Sequence, residues 1–458
     1  MPRLDEFVFA PDQEAECVYL LGLGLPGVPN AKLEEEMSEL GELAETAGAE
    51  VVGADIQHLD KPNPLTCFGK GKVEELKSLK GDLGFTSVIS NEDLAPRQQR
   101  NLEDALDMKV LDRSEVILDI FARHARSHEG RLQVESAQLR HLLPRLAGGR
   151  NLSRLGGGIG TRGPGEQKLE VDRRRIRNRM TDLGQQIVKL QNSRRLHRNT
   201  RRRNQVPVAA VVGYTNAGKS TLLNALTGAG VLEADQVFAT LDPTTRAVHL
   251  PDGRKILLTD TVGFIQKLPT DLVAAFRGTL EEVTEANILI HVLDATHPAM
   301  RAHFDATNEE LERLEAINKP MVLALNKVDA LDPGTVAMIQ RRGTWAPYDE
   351  VVPISAKTGE GLPRLLETLA RLSEAGLVRL DLMVPYSEAG VEAEVLRRGR
   401  VLKRDYLADG MRLVAEVLSS DAGRFEDYVV AEPAEKVTPV VGRRVAGKRV
   451  ASPRARAG

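Results

Sequence analysis

The stretch Gly213-Tyr214-Thr215-Asn216-Ala217-Gly218-Lys219-Ser220 decides how this chain is read. It follows an apolar run, Val208 to Val212, that predicts a buried strand. It precedes Thr221-Leu222-Leu223-Asn224-Ala225-Leu226, which predicts the first turns of a helix. A strand, a loop of form G-x-x-x-x-G-K-S and a helix together make a phosphate-binding loop. Its two glycines let the backbone curl so that N–H groups point inward at a polyphosphate. The helix N-terminus adds roughly half a positive charge. In such a loop Lys219 reaches the β- and γ-phosphates and the Ser220 hydroxyl ligates Mg²⁺. The plainer alternative is a glycine-rich β–α turn with an incidental Lys-Ser pair.

The surroundings of the loop, residues 206–373, read as one nucleotide domain. After the loop comes Phe238-Ala239-Thr240-Leu241-Asp242-Pro243-Thr244-Thr245. A strand over Lys255 to Thr259 then leads into Asp260-Thr261-Val262-Gly263. An acid at the carboxyl end of a strand beside the phosphate loop is where a Mg²⁺-linked carboxylate belongs, and the Gly263 N–H can face a γ-phosphate. A buried strand, Ile288 to Leu293, follows. Strand Met321 to Leu325 ends in Asn326-Lys327-Val328-Asp329, and strand Val351 to Ile354 ends in Ser355-Ala356-Lys357. Every motif therefore falls on one rim of a parallel sheet, where ligands bind. The last two motifs choose the base. Asp329 can accept from both the N1–H and the exocyclic amine of guanine, whereas adenine offers the opposite pattern at that edge. Asn326 suits the N7 side of guanine, and the Ala356 N–H can donate to O6. The expected ligands are GTP or GDP with Mg²⁺.

The chain has 458 residues, enough for roughly three domains. Hydrophobic residues make up 42% and charged residues 28%, ordinary values for a globular protein. Cys17 and Cys67 are the only cysteines, which fits a reduced cytosolic setting better than a disulfide scaffold. The opening Met1-Pro2-Arg3-Leu4-Asp5-Glu6 is charged and lacks an apolar signal core, and no run approaches a membrane span. A cytoplasmic protein without stable membrane insertion, monomeric when free, is the expectation.

Residues 1–127 alternate short apolar runs with helical patterns. Strands are expected at Cys17 to Leu23, Glu50 to Ile56, Ser87 to Ser90 and Lys109 to Leu111. Helices are expected at Leu33 to Ala47, Lys70 to Lys80 and Pro96 to Leu106. The alternation implies a small parallel sheet with right-handed crossovers. Gly69-Lys70-Gly71-Lys72 lacks the loop length and Ser/Thr of a phosphate loop and reads as a turn before a helix.

Residues 128–205 differ in character. Leu132, Leu139, Leu142 and Leu146 recur at heptad-like spacing, as do Leu169, Ile176, Met180, Leu183, Ile187 and Leu190. Both sets suit an antiparallel helical hairpin. Pro144 should kink or end its first helix. The second helix, near thirty residues, would be about 45 Å long. It carries Arg173, Arg174, Arg175, Arg177, Arg179, Lys189, Arg194, Arg195 and Arg198, then Arg201, Arg202 and Arg203, against few acids. A polyanion partner fits that excess better than a merely solvated face. The tip, Gly156-Gly157-Gly158-Ile159-Gly160-Thr161-Arg162-Gly163-Pro164-Gly165-Glu166, is longer than a helix–helix turn needs. With few side chains to clash, and with Arg154 and Arg162, it can lie against RNA phosphates; a disordered loop is the alternative.

Residues 374–432 read as strand, helix and two strands: Val378 to Val384, Glu388 to Arg397, Val401 to Arg404 and Met411 to Val417. That order suggests a small α+β appendage. Residues 433–458 turn to Pro, Gly, Lys and Arg without apolar periodicity, as expected of a basic disordered tail.

Taken together, G-Y-T-N-A-G-K-S, F-A-T-L-D-P-T, D-T-V-G-F, N-K-V-D and S-A-K resemble the HflX family of translation-factor-related GTPases. Leu118-Asp119-Ile120-Phe121, Glu129-Gly130-Arg131-Leu132-Gln133-Val134-Glu135 and the G-G-G-I-G-T-R-G-P-G-E loop resemble that family's own signature. The resemblance implies a Ras-like P-loop GTPase domain behind an N-terminal α/β and coiled-coil HflX domain, with a small C-terminal α+β domain. It implies GTP hydrolysis, binding to the large ribosomal subunit and splitting or rescue of ribosomes under stress. The alternative is a GTP-regulated large-subunit binding factor in assembly or hibernation. The resemblance places the glycine loop, Gly156 to Glu166, near the peptidyl transferase centre and implies Ser220 and Thr240 as Mg²⁺ ligands. Spacing alone leaves Thr244 and Thr245 open. Phe264 stands where many Ras-like proteins carry a glutamine that orients the attacking water. A phenyl ring can do neither half of that work, so slow intrinsic hydrolysis is expected. The other reading is that Phe264 packs in a core and a distant residue positions water.

Overall fold

The computed structural model describes residues 16–146, 164–203, 206–228, 238, 244–265, 282–342, 345, 347–374, 377–418 and 422–430. The chain falls into two compact units. One holds Met1–Arg201 and Val206–Glu367, and the other holds Arg202–Gln205 and Thr368–Gly458.

The first unit contains two sheets. β1 (Glu16–Gly24), β2 (Ala49–His58), β3 (Ser87–Ser90) and β4 (Lys109–Asp112) lie in the order β2-β1-β3-β4, all parallel. They alternate with α1 (Asn30–Thr46), α2 (Lys70–Leu83) and α3 (Pro96–Leu106). Gly69 caps α2, its N–H donates to Gln57 at 2.8 Å and Lys72 pairs with Asp55 at 3.0 Å, so the Gly-Lys-Gly-Lys stretch is a helix-starting turn, as its sequence predicts. A helix not foreseen in the sequence, α4 (Arg113–His124), follows β4. It starts on a capping box: the Asp112 carboxylate accepts from the Glu115 N–H at 2.9 Å, and Glu115 accepts from the Asp112 N–H at 3.1 Å.

α5 (His128–Arg145) and α6 (Pro164–Arg203) form the hairpin. Leu132, Leu139 and Leu183 are its buried seam, flanked by Ile176, Met180, Ile187 and Leu190. Pro144 sits in the last turn of α5, and Leu146 is its C-cap. α6 runs to 40 residues, against the thirty expected, and so reaches about 60 Å. The glycine tract up to Gly163 and the side chains of Leu169, Arg194, Arg195, Arg198 and Arg201 to Arg203 lie outside the described residues.

Arg145 fastens the end of α5 to the first sheet. Its guanidinium bonds Asp112 at 2.6 Å and Gln99 at 2.6 Å. Asp112, Glu115 and His141 have ligand atoms within 4.8 Å of one another, but the Arg145 cation sits on that group.

The second sheet has the order β10-β9-β8-β5-β7-β6. Its strands are β5 (Val208–Val212), β6 (Thr245–His249), β7 (Lys255–Asp260), β8 (Ile288–Asp294), β9 (Met321–Asn326) and β10 (Glu350–Pro353). All are parallel except β6, an unforeseen edge strand running against β7. α7 (Lys219–Thr227), α8 (Met300–Arg313), α9 (Pro333–Arg342) and α10 (Leu362–Glu374) accompany it. β8 and β9 are buried along their whole length, as strands covered on both faces must be. One apolar cluster joins the two halves of this unit, and in it Phe121 of α4 meets Phe238 with ring centroids 4.5 Å apart.

The second unit carries β11 (Leu377–Val384), α11 (Ala389–Arg398), β12 (Gly399–Leu407) and β13 (Gly410–Leu418), in an antiparallel sheet of order β11-β13-β12. Among the described residues no helix is long and apolar enough to cross a membrane. Residues 433–458 lie outside the described part.

Asp119 of α4 carries a pH-dependent load. Burial pushes its carboxyl up to about 7, and Glu115 and Glu16 reinforce the shift against Lys109 and Arg123. A carboxyl raised in the folded state binds a proton that the unfolded chain releases, so stability is present at low pH and is lost as pH rises through about 7. Asp119→Asn should therefore raise Tm at pH 8 by a few degrees, and the gain should vanish toward pH 4. Thermal melts across that range check it.

Candidate nucleotide site

The site is built on the carboxyl end of β5. Gly213 has φ +147°, and a Cβ there would lie 2.2 Å from the Val292 carbonyl oxygen of β8. Gly218 has φ +93°, and a Cβ there would lie 2.3 Å from Nδ2 of Asn326. Only glycine permits both the left-handed backbone and these approaches. Asn216, also left-handed at φ 56°, carries the curl between them.

Asn326, at the end of β9, ties the rim together. Its Nδ2 donates to the Ala217 carbonyl at 2.8 Å, and its Oδ1 accepts from the Ala356 N–H at 2.9 Å. The phosphate loop, the N-K-V-D segment and the S-A-K segment thus share one buried side chain. The Ala356 N–H, expected to face guanine O6, is engaged by Asn326 in this structure. Asp329 lies in a 3₁₀ turn, Val328–Ala330, and is exposed. Lys327 is left-handed at φ 66° and pairs with Asp294 at 2.7 Å. Ser355 is buried, its N–H donating to the Glu360 carbonyl, while Lys357 is exposed.

At the start of α7, Lys219 is 7% exposed and donates to the Tyr214 carbonyl at 2.6 Å. Burial lowers its ammonium to about 8, with Asp260 opposing. The Ser220 hydroxyl donates to Asp260 at 3.1 Å. Asp260 also accepts from the Thr261 N–H at 3.0 Å, and the Thr261 hydroxyl donates to the Val211 carbonyl at 2.7 Å. A hydroxyl and a carboxylate, both hard oxygen donors, therefore converge beside a buried cation. That set fits Mg²⁺.

The segment after Asp260 is zipped to the loop. The Phe264 N–H donates to the Gly213 carbonyl at 3.0 Å, and the Thr215 N–H donates to the Phe264 carbonyl at 2.9 Å. A Cβ on Gly263 would stand 3.0 Å from the Lys219 ammonium. The Phe264 side chain is 2% exposed and lies in the core with Val262 and Ile265. Phe238 has its ring in the same core, on Phe121. Thr245 belongs to β6, its hydroxyl 3.0 Å from that of Thr259. Ala239, Thr240, Leu241 and Asp242 lie outside the described residues.

One part of the site was not legible in the motifs. A cleft of about 1840 Å³ opens beside the loop, with Glu35 and Glu39 of α1 on one wall and Tyr214, Asn216, His303 and Lys327 on the other. A spacing signal existed: Glu35, Glu39 and Glu42 recur at i, i+4 and i+7 on one face of α1.

Residues 34–122 match the family described as GTP-binding GTPase N-terminal, residues 124–201 the GTP-binding GTPase Middle Region, and residues 208–327 the 50S ribosome-binding GTPase. The chain is 48% identical over 399 residues to the GTPase HflX of Caldanaerobacter subterraneus, covering 87% of this chain and 91% of that one. To the GTPase HflX of Escherichia coli it is 40% identical over 377 residues, covering 82% and 88%. A crystal structure of SsGBP with GDP is 27% identical, with 78% of this chain and 98% of that chain covered and a TM-score of 0.45. At these identities over most of both chains, the chain belongs to the HflX family of GTPases.

Proposed function

We propose that the chain uses GTP to dock on the large ribosomal subunit and to split or rescue stalled or vacant ribosomes. The observation that carries this reading is the course of the chain from arm to site. α6 ends at Arg203, and β5, which leads into the phosphate loop, starts at Val208. Arg174, Arg175, Arg177 and Arg179 are exposed on that helix. Some have acidic neighbours, such as Arg179 with Glu135 at 2.6 Å, and exposed pairs of this kind exchange readily for phosphate contacts. The Gly156 to Glu166 loop at the tip is the second proposed contact with ribosomal RNA.

In this reading Lys219 reaches the β- and γ-phosphates of the substrate, and the N–H groups of residues 214–221 cradle them. Ser220 and Thr240 would hold Mg²⁺, with Asp260 accepting from its shell. When bound, the metal neutralises charge on the transferring phosphoryl group. The Gly263 N–H faces the γ-phosphate. Asp329 selects guanine, with Asn326 and Ala356 on its N7 and O6 side and Lys327 beside it. γ-Phosphate contacts order the switch segments, the ordered form binds the subunit, and hydrolysis releases the factor.

The buried ring of Phe264 leaves no group at that position to orient water. Single-turnover GTP hydrolysis should be slow alone and should rise with added large subunits. The rise should approach the roughly 10³–10⁵-fold that an added arginine finger contributes elsewhere. Equal rates would refute the missing-group account. Light scattering of intact ribosomes should fall when the protein is added with a nonhydrolysable GTP analogue. Binding without a fall in scattering would favour a role in assembly or hibernation instead.

A further inference from the structure

Tyr214 follows the first glycine of the phosphate loop, at a position where the G-x-x-x-x-G-K-S pattern specifies no residue, yet its side chain leaves the nucleotide domain. The hydroxyl donates to Glu39 of α1 at 2.9 Å, across 175 positions of sequence. The ring lies flat on His303 of α8, with centroids 3.7 Å apart and planes at 7°. His303 in turn meets Glu35, one turn earlier on α1, at 3.3 Å. Asn216, two residues along the loop, donates to Glu42 at 3.3 Å. Glu39 and Glu42 thus bond the outward side of the phosphate loop directly, and Glu35, on the same helix face, reaches it through His303.

Glu39 is not a loose surface acid. It is buried and bonded at 3.1 Å to Arg113, which is itself 2% exposed and bonds Asn91 at 3.0 Å. Asn91 donates to Glu36 at 3.1 Å. A buried charged network of this kind has few alternative arrangements, because any displaced member is left desolvated and unpaired. The end of β3, the start of α4 and α1 are therefore a fixed frame on which Tyr214 rests. The inward side of the same residue holds Lys219, whose ammonium donates to the Tyr214 carbonyl at 2.6 Å.

We propose that Tyr214 is a positioning residue: its hydroxyl, anchored on the Glu39–Arg113 pair, fixes the carbonyl that aims Lys219, and so makes guanine-nucleotide residence depend on the docking of α1. By linkage, a nucleotide that fixes the loop must steady α1 to the same degree. The inference concerns nucleotide binding alone and stands whether or not the protein splits ribosomes.

The test is release of a fluorescent GDP from the full-length chain. Tyr214→Phe removes one hydroxyl and keeps the ring on His303. It should speed release by about three- to tenfold, since only part of the worth of that hydrogen bond reaches the nucleotide. Glu39→Gln should do the same, and the double variant should be no faster than the faster single one. Tyr19→Phe is the control. Its hydroxyl donates to Asp55 at 2.6 Å inside the first sheet, so it should leave release unchanged. Release from Tyr214→Phe at the wild-type rate, additive effects in the double variant, or equal acceleration by Tyr19→Phe would each overturn the proposal. Should a variant fail to fold, the wild-type chain still decides. Amide hydrogen exchange across 36–43 of α1 should slow when GDP is added, and an unchanged rate there would count against it.

Discussion

The closest backbone approach in the nucleotide site governs the rest. Gly213 lies against the Val292 carbonyl, and Gly218 lies against the Asn326 amide, both in left-handed conformations. No side chain fits in either place. The loop is therefore pressed onto the ends of β8 and β9. Asn326 then spends both halves of its amide on backbone, one on the loop and one on Ala356. Four separate motifs become one rim because a single side chain joins three of them and Phe264 joins the fourth.

The same packing explains the charge arrangement. Lys219 is held in a buried place before any phosphate arrives, and burial depresses its ammonium. Asp260 opposes that shift, and it also accepts from the Ser220 hydroxyl and the Thr261 N–H. The cation is thus only partly satisfied by the protein. A buried cation held in place in this way is the feature of a preorganised electrostatic site, and in the proposed function a polyphosphate would complete it.

Much of this was legible in the sequence, for physical reasons. Fully buried parallel strands are short apolar runs, and β5 and β9 lead into motif residues that cannot be apolar. The hairpin was legible through its leucine spacing. Other parts were hidden. α4 buries Arg113, Ser114, Val116, Ile117, Leu118, Ile120 and Phe121, and its unbroken apolar run Val116-Ile117-Leu118 suits a buried strand as well as a helix. The helical signs were there: Glu115, Asp119 and Arg123 recur at i, i+4 and i+8, beside the Asp112 and Glu115 capping box. β6 buries Val248 alone and has no alternation to read. α6 exceeds the expected length because helix propensity carries it past the end of its apolar stripe. The Tyr214 to Glu39 contact joins residues that no local pattern relates.

The phosphate loop takes its shape from two positions, Gly213 and Gly218, that tolerate no Cβ. Isothermal titration of GDP and GTP into the wild-type chain and into Gly218→Ala tests this most directly. The wild-type chain should bind both nucleotides. The variant should bind them about a hundredfold more weakly or not at all, with unchanged circular dichroism, since left-handed strain of roughly 1–2 kcal/mol adds to the clash with Asn326. Equal affinity in the two proteins, or a wild-type chain indifferent to both nucleotides, would contradict it.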